Sequence, residues 1–244
     1  MGGRREIELV FEHAQELPRG LRETLKAEVC LGDWFEVPTD KRVQQCFVDS
    51  RKVFYRSRVV LMPIVELLNH SPSGQHFELE RGIAIKGVFD GEITARYSET
   101  DALGIFSSWG FACEQPQAFS FPLKSSRPDL TIQIGRDLTS LSQKKQFWAP
   151  KLSAAENGVT LEFLMLGNKR FPRTNKGIFY KLMREAGIKN YEESFDLIQN
   201  ANLTRISNLF ALVEKAEGVM AQTLRQVARY QLQALAYCMG VREV

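Results

Sequence analysis

Four short segments between positions 50 and 111 carry side chains that could bind a charged small molecule and orient a reactive group. Arg51 offers a planar guanidinium, which pairs well with a carboxylate. Asn69 and His70 supply polar groups in a turn-forming stretch, and Tyr97 supplies a hydroxyl. The order and spacing of the set, more than any single member, indicate a functional site. In chain order, the segments are Ser50–Phe54, Met62–Ser71, Gly91–Tyr97 and Trp109–Phe111.

Taken one at a time, these residues also have ordinary structural interpretations. Asn69 to Pro72 has the composition of a polar turn, because Asn, Ser and Pro favour turns. Tyr97 suits a strand at the edge of a core, and Glu66 could cap or solvate a turn. Arg51 lies in a basic stretch with Arg56 and Arg58, and Trp109 and Phe111 are typical core residues. A functional interpretation therefore depends on the set.

The four segments resemble, in the same order, motifs of the SET-domain lysine methyltransferases. Within this family, they resemble the branch that includes Rubisco large-subunit methyltransferase and its relatives. Ser50–Phe54 is similar to the motif S-R-x-F, and Met62–Ser71 to V-P-x-x-D-L-x-N-H-S. Gly91–Tyr97 is similar to the strand G-E-q-x-x-x-x-Y, and Trp109–Phe111 stands in the place of Y-G-F.

The resemblance implies an enzyme that transfers a methyl group from S-adenosylmethionine to a side chain of a protein substrate. Lysine is the expected target, and histidine stays open as an alternative. By this resemblance Arg51 would pair with the carboxylate of the cofactor. Asn69 and His70 would also contact the cofactor, His70 chiefly through its backbone. Glu66 takes the position of the family's acidic residue, where its charge would suit the cationic methionine end of the cofactor.

The same resemblance makes Tyr97 the catalytic residue and makes Trp109 and Phe111 part of the substrate channel. The nucleophile must be a neutral amine, whereas a free lysine has a pKa near ~10.4. A narrow aromatic channel disfavours the ammonium form by desolvation. Trp109 and Phe111 would add apolar or cation–π surface to it, and Tyr97 would place a hydroxyl beside the reacting nitrogen.

The sequence departs from the family before Ser50. SET domains begin with a Gly-x-Gly turn, which lets the backbone approach the cofactor. The 49 residues before Ser50 instead look like the family's helical insert. We therefore expect a fragment or a natural short form with an incomplete cofactor cleft. Two alternatives to the enzyme stay open: a catalytically silent SET-like module that binds a protein, and an α+β protein whose resemblance is fortuitous.

Composition favours a cytoplasmic globular protein. The net charge is +3 without a dense basic stripe, so nucleic acid is not an expected partner. No apolar run reaches the roughly 18 residues that a membrane span needs, and no secretory signal follows the first arginines. The four cysteines are scattered and the histidines number three, so we expect no metal and interpret the thiols as free in a reducing compartment.

The pattern of apolar residues predicts an α+β protein in two parts. Residues 1–122 are predicted to hold a SET-like, β-rich core, incomplete at the amino terminus and carrying the helical insert. Residues 123–244 are predicted to form a mainly helical lobe that docks a protein substrate. The predicted elements are two amino-terminal helices interrupted at Pro18–Gly20, a β-rich tract over Val48–Leu68, a loop over Asn69–Gly74, a strand pair over Phe77–Tyr97 turning at Asp90–Gly91, a helix over Asp101–Trp109, a hairpin over Gln146–Leu166, and three helices after Pro172.

Overall fold

The computed structural model describes residues 4–29, 35–49, 51–56, 58–61, 68–88, 90–126, 130–135, 150–155 and 158–240. Within these ranges the chain is a mixed α+β protein with small sheets, which confirms the predicted class. Ser50, Glu66 and Gly2–Gly3 lie outside the described residues. The same holds for Met62 to Leu67 as a whole and for residues 146–149 and 156–157 of the predicted hairpin.

Seven helices lie within the described ranges, and a proline or a glycine marks one end of several of them. The interruption predicted over Pro18–Gly20 is shorter than expected, because Arg19 and Gly20 already belong to the second helix. The second helix begins at Arg19, directly after Pro18. The fourth and seventh helices end at Gly110 and Gly240, which adopt left-handed φ values of 77° and 74°. The helices are α1 (Arg4–Glu12), α2 (Arg19–Val29), α3 (Thr39–Asp49), α4 (Ala102–Trp109), α5 (Thr174–Glu185), α6 (Ser194–Glu214) and α7 (Val219–Met239).

The strands form four separate sheets in the described part of the chain, and none of these sheets closes into a barrel. Three sheets have two strands: β1–β2 and β5–β10 are antiparallel, and β3–β4 is parallel. The fourth has the order β6-β7-β9-β8, with β7 and β9 parallel. The strands are β1 (Lys52–Tyr55), β2 (Arg58–Leu61), β3 (Asn69–Gln75), β4 (Thr94–Ala95), β5 (Gln117–Phe119), β6 (Leu123–Ser126), β7 (Thr131–Ile134), β8 (Leu152–Ala155), β9 (Gly158–Leu161) and β10 (Met165–Asn168).

A first hydrophobic core joins the amino-terminal helices to the two long carboxy-terminal ones. Phe11 of α1, Leu25 of α2 and Phe106 of α4 are buried in it with Ile206 of α6 and Leu224 of α7. Each side chain of this size contributes roughly 1.5–3 kcal/mol when fully buried. The helices before position 50 therefore belong to the main core of the described protein.

A second core lies between the four-stranded sheet and the other side of the carboxy-terminal helices. It contains Ile132 of β7, Leu161 of β9, Phe179 of α5, Phe195 of α6 and Leu235 of α7. Helix α7 contacts α1, α4, β5 and β10, so it packs against elements on both sides of position 122. The predicted division into 1–122 and 123–244 stays a prediction.

Two local predictions between positions 69 and 97 are wrong. Asn69–Gly74 was predicted to be a loop. It belongs instead to strand β3 (Asn69–Gln75), because this segment pairs with β4. The strand pair predicted over Phe77–Tyr97 is reduced to a single bridge between Glu78 and Ala84, followed by the short β4. Gly82, at φ 143°, interrupts the alternating stretch with a conformation that strand residues do not adopt.

The predicted hairpin near position 156 is confirmed in the residues on either side of the turn that the structure describes. Strands β8 and β9 pair in an antiparallel register, with Ala155 opposite Gly158. Strand β9 ends at Leu161. The next strand, β10, does not join this sheet but pairs with β5. No helix in the described ranges is both long and apolar enough to cross a membrane.

Candidate functional site

The parallel pairing of β3 with β4 brings the Asn-His segment beside the segment that carries Tyr97. Asn69 lies opposite Thr94 and His70 opposite Ala95, and Gln75 pairs with Ala95 again after a shift in register. Gly74 is needed for this close approach, because a Cβ atom there would lie 2.8 Å from the carbonyl carbon of Ala95. Two motifs that lie far apart in the sequence are thus adjacent in the fold.

His70 is buried, and both of its ring nitrogens are engaged. Its Nδ1 accepts a hydrogen bond of 3.0 Å from the backbone N–H of Tyr97. Its Nε2 lies 3.0 Å from the side-chain amide of Gln115. The atom of Gln115 that lies nearest is its amide nitrogen, Nε2. Because Nδ1 accepts, the neutral ring carries its proton on Nε2, and this N–H finds an acceptor in Gln115 when the amide is turned so that its oxygen faces the ring. The ring thus positions Tyr97, and both of its nitrogens are already in contact with protein groups.

Three further aromatic rings surround His70. The Tyr97 ring lies 5.2 Å from it, the Phe111 ring 6.1 Å and the Trp109 ring 6.5 Å, measured between ring centroids. Tyr97 and Trp109 meet edge to face at 5.6 Å, a favourable arrangement for aromatic pairs. The structure therefore brings the predicted catalytic residue and both predicted channel residues into one cluster.

Helix α4 and its two ends hold Trp109 and Phe111 in this cluster. Asp101 caps the amino terminus of the helix by accepting the Gly104 N–H at 2.9 Å. At the other end, the N–H of Gly110 donates to the carbonyl oxygen of Phe106, and its left-handed φ turns the chain back. Trp109 is the last helical residue and Phe111 follows the turn, so the two rings stack at 6.4 Å.

The hydroxyl of Tyr97 is half-buried and donates a hydrogen bond of 2.5 Å to the carbonyl oxygen of Leu68. Burial raises the pKa of this phenol, and the nearby Arg51 guanidinium only partly offsets the rise. Tyr97 is thus a neutral phenol at physiological pH. It can donate a hydrogen bond and orient a group, but it does not act as an anionic base in this state.

Arg51 lies two positions after the end of α3, and its charge lowers the pKa of the Tyr97 hydroxyl. Its guanidinium stacks on the Phe47 ring at 3.6 Å and donates to the Phe47 carbonyl oxygen at 3.2 Å. These contacts restrict a long, flexible side chain, which lowers the entropy lost when a carboxylate binds. The charge of Arg51, from the first motif, therefore acts on the phenol of Tyr97 in the aromatic cluster.

Asn69 faces the turn of the third motif. Its side-chain amide donates to Glu92 Oε1 at 2.6 Å. This contact connects the Asn-His segment to the Gly91–Glu92 turn, which the sequence interpretation had named without assigning it a partner. Glu66, the remaining predicted cofactor residue, lies outside the described residues, so its role stays a prediction.

Sequence reasoning missed three side chains that support the cluster. Gln115 is buried and contacts His70, although nothing in its neighbourhood signals this. Arg96 acts on His70 electrostatically and bonds to Glu99 at 2.7 Å. Asp101 could have been recognised as a helix cap, because an aspartate before an apolar helical run is a known start signal. Among the described residues no group of His, Cys, Asp and Glu could hold a metal ion.

The buried imidazole of His70 is expected to make the fold sensitive to mild acid. Desolvation, with a contribution from the Arg96 charge, lowers the pKa of His70 from 6.5 to about 4. The unfolded chain therefore binds a proton that the folded chain excludes, so stability falls as the pH drops from about 6.5 towards 4. Linkage predicts a loss of about 2 kcal/mol between pH 7 and pH 5, to be measured by urea unfolding at each pH.

The variant His70→Gln tests this prediction, because it removes the titrating group. We expect the variant to be less stable than the parent at pH 7 but to lose less stability between pH 7 and pH 5. His13→Gln serves as a control, since His13 lies outside the cluster and its ring pairs with Glu16 on the surface. An unchanged slope in His70→Gln, compared with the parent, contradicts the assignment.

No protein-family model, no curated protein and no solved structure matches this chain.

Proposed function

We propose that this protein is a SET-like, S-adenosylmethionine-dependent methyltransferase that modifies a lysine side chain of a protein. The observation that carries the proposal is the convergence of the motifs: Tyr97, Trp109 and Phe111 surround His70, and Arg51 lies within electrostatic reach of Tyr97. Residues from all four motifs have at least one contact or electrostatic interaction with a residue of another. A fortuitous resemblance gives no reason for this convergence.

The side chains present suit the methionine end of S-adenosylmethionine. Arg51, restricted by Phe47, can pair with a carboxylate. The Tyr97 ring and the carboxylate of Glu92, which accepts a hydrogen bond from Asn69, are suited to stabilise the positive charge of the cofactor's methionine end. When bound, the cofactor supplies an electrophilic methyl group to an incoming amine. In this proposal Arg51, Asn69 and the backbone of His70 hold it, with Glu66 as a further contact.

The aromatic cluster is suited to receive a neutral amine. At pH 7 both His70 and Tyr97 are uncharged, because burial lowers the pKa of the first and raises that of the second. A site walled by neutral rings solvates an ammonium group poorly, so the target lysine is favoured in its neutral, nucleophilic form. The phenol of Tyr97 then orients the amine, and the main contribution of the protein is alignment.

Direct binding and methyl transfer test the proposal separately. Isothermal titration calorimetry with S-adenosylmethionine measures binding, and tritium transfer from labelled cofactor to a protein extract measures activity. Acid hydrolysis of the labelled protein should release methylated lysine. Binding without transfer would favour the catalytically silent module. The proposal fails if the protein neither binds the cofactor nor transfers label.

The variant Arg51→Ala is expected to weaken S-adenosylmethionine binding about 30-fold, since truncating one partner of a charge pair costs at least ~2 kcal/mol. The loss should appear as a raised Kd in calorimetry. Arg58→Ala is the matched control, because Arg58 is an exposed arginine of the adjacent strand β2. Equal effects of the two substitutions would show that Arg51 contributes only to the general positive charge.

A further inference from the structure

Gln115 is a buried polar residue in the loop between helix α4 and strand β5, and its side chain contacts the ring of His70. The residue keeps 2% of its surface exposed. Its amide lies 3.0 Å from Nε2 of His70 and 3.7 Å from the thiol sulfur of Cys113. Burial of an amide is unfavourable unless its polar atoms are hydrogen-bonded. The buried position of Gln115 therefore depends on its contact with His70.

The backbone around Gln115 is anchored independently of His70. The carbonyl oxygen of Pro116, the next residue, accepts a hydrogen bond of 2.7 Å from the backbone N–H of Lys169. The preceding residue, Glu114, pairs with the Lys169 side chain at 2.7 Å. Both contacts join the loop to the residue that follows strand β10. A buried side chain on an anchored backbone can hold its partner in one orientation.

The hydrogen bond from Tyr97 dictates which nitrogen of His70 carries the proton. A backbone N–H can only donate, so Nδ1, which lies 3.0 Å from the Tyr97 nitrogen, must present a lone pair. The proton of the neutral ring then lies on Nε2 and needs an acceptor. The amide oxygen of Gln115 supplies that acceptor when the amide is turned towards the ring. The tautomer that Gln115 accepts is therefore the one that binds Tyr97.

The surroundings of His70 favour a neutral ring. Desolvation and the charge of Arg96 lower the pKa of His70 to about 4, and a backbone hydrogen bond with Ala95 offsets part of this effect. Gln115 adds an uncharged acceptor, which binds the Nε2 proton without stabilising the imidazolium as a carboxylate would. The titratable side chains around the ring and its amide partner are Tyr97, Cys113, and Arg96 with its ion-pair partner Glu99.

We propose that Gln115 is a positioning residue: by accepting the Nε2 proton of His70, it fixes the ring as the acceptor of the Tyr97 N–H and so holds Tyr97 in the aromatic cluster. The residue type matters as well as the position, because a glutamate would also accept this proton but would favour a charged ring. The contribution to methyl transfer rests on the proposed function, whereas the effects on His70 and on the Tyr97 backbone do not.

NMR of the histidine rings in isotope-labelled protein tests the proposal without substrate or cofactor. The ring signals of His70 are identified by their loss in His70→Gln, and in the parent we expect the neutral tautomer with its proton on Nε2. In Gln115→Glu the carboxylate faces this proton, which should move the midpoint of the His70 titration upward by about 1–3 pH units. Gln233→Glu adds the same charge at a half-buried glutamine of helix α7, outside the cluster, and should leave the midpoint unchanged.

Hydrogen exchange of the Tyr97 amide measures the positioning effect directly. Gln115→Met keeps the length of the side chain and removes the acceptor without adding a charge, so it stays informative if Gln115→Glu does not fold. We expect the Tyr97 N–H to exchange about fivefold faster, as for the loss of one hydrogen bond of average strength. The N–H of Gly135, which donates to the Leu161 carbonyl oxygen at 2.8 Å, is the internal control and should exchange as in the parent.

The pH dependence of methyl transfer connects positioning to the proposed reaction. If the His70 midpoint in Gln115→Glu rises by about 2 pH units to about 6, about three quarters of the rings are charged at pH 5.5, and transfer at that pH should be about fourfold slower than in the parent. At pH 8.5 the ring is neutral and the variant should regain the parental rate, a recovery that a loss of packing does not give. Gln233→Glu should follow the parent at both pH values, and the same behaviour in Gln115→Glu overturns its role in transfer.

Failure of the proposal and failure of the proposed function give different results. A His70 titration that Gln115→Glu does not shift, or a Tyr97 amide whose exchange Gln115→Met leaves unchanged, overturns the positioning role. Equal acceleration of the Tyr97 and Gly135 amides overturns it as well, because the substitution then destabilises the whole fold. If both NMR results are as expected but the parent transfers no methyl group, the methyltransferase assignment fails and Gln115 still positions Tyr97.

Discussion

Under the proposed methyltransferase function, the variant Tyr97→Phe is expected to transfer methyl groups about 100-fold more slowly than the parent while binding S-adenosylmethionine with unchanged Kd. Removing one preorganised hydrogen-bond donor from an active site typically costs about 10²- to 10³-fold in rate. The phenyl ring that remains can still pack against His70 and Trp109, which lie 5.2 Å and 5.6 Å from the Tyr97 ring. Shape is thus retained and only the hydroxyl is lost.

Initial rates of tritium transfer and calorimetric titration measure the two quantities on the same preparations. The hydroxyl of Tyr97 also donates to the Leu68 carbonyl, so its loss should lower stability by about 1 kcal/mol. Tyr180→Phe provides the matched control for that effect. Tyr180 donates to the carbonyl oxygen of Glu192 at the same distance of 2.5 Å, on helix α5 and away from the aromatic cluster.

A role for Tyr97 in alignment requires that the rate falls in Tyr97→Phe and not in Tyr180→Phe. If Tyr97→Phe weakens cofactor binding as much as it slows transfer, the hydroxyl holds the cofactor and the catalytic assignment is wrong. If both variants keep the parental rate, Tyr97 serves the fold only. The prediction therefore separates catalysis, binding and packing as roles of one hydroxyl group.

The helices could be predicted because their signals are local. Pro18 marks the start of α2, Gly110 the end of α4, and the apolar stripes after Pro172 the helices of the carboxy-terminal part. Such signals act within a few residues of the chain. Local signals failed over 69–97, because a strand of polar residues forms only when it pairs with a partner distant in the sequence. The polar stretch that begins at Asn69 is a strand because it pairs with β4.

The proximity of the motif residues could be predicted from motif order, whereas their supporting contacts could not, and their functional roles stay predictions. His70, Tyr97, Trp109 and Phe111 form one cluster, as the resemblance implied. The residues that hold the cluster are generic polar residues, such as Gln115, whose type and spacing carry no signal. Their roles depend on burial and on neighbours brought together by the fold, which is information that a single sequence does not express.

The variant Asp101→Ala is expected to destabilise the protein by roughly 3–5 kcal/mol. Asp101 is a supporting residue of this kind, because its role depends on partners that only the fold brings together. The side chain is fully buried. Its Oδ1 accepts the Gly104 N–H at 2.9 Å, and its Oδ2 accepts the Phe119 N–H at 3.0 Å and the Gln231 amide at 2.8 Å. One carboxylate thus joins α4, β5 and α7.

The expected loss combines the cost of an uncapped helix with the cost of buried donors that lose their acceptor. A missing cap costs about 1 kcal/mol, and each buried donor without a partner costs about 1–3 kcal/mol. Against a total stability of roughly 5–15 kcal/mol the effect is large. Urea unfolding should show a lower midpoint, and the melting temperature should fall by about 10 °C.

Asp196→Ala is the matched control, because Asp196 also bonds to a neighbouring side chain but is exposed. Its pair with Lys176 is a surface ion pair, for which less than about 1 kcal/mol is expected. Asp101→Asn should lie between the two, since the amide oxygen can still accept some of these bonds but its NH₂ group cannot. A similar stability loss in Asp101→Ala and Asp196→Ala would show that the buried carboxylate does not connect α4 to β5 and α7 energetically. Because α4 carries Trp109, a large loss in Asp101→Ala alone would link the stability of the core to the geometry of the aromatic cluster.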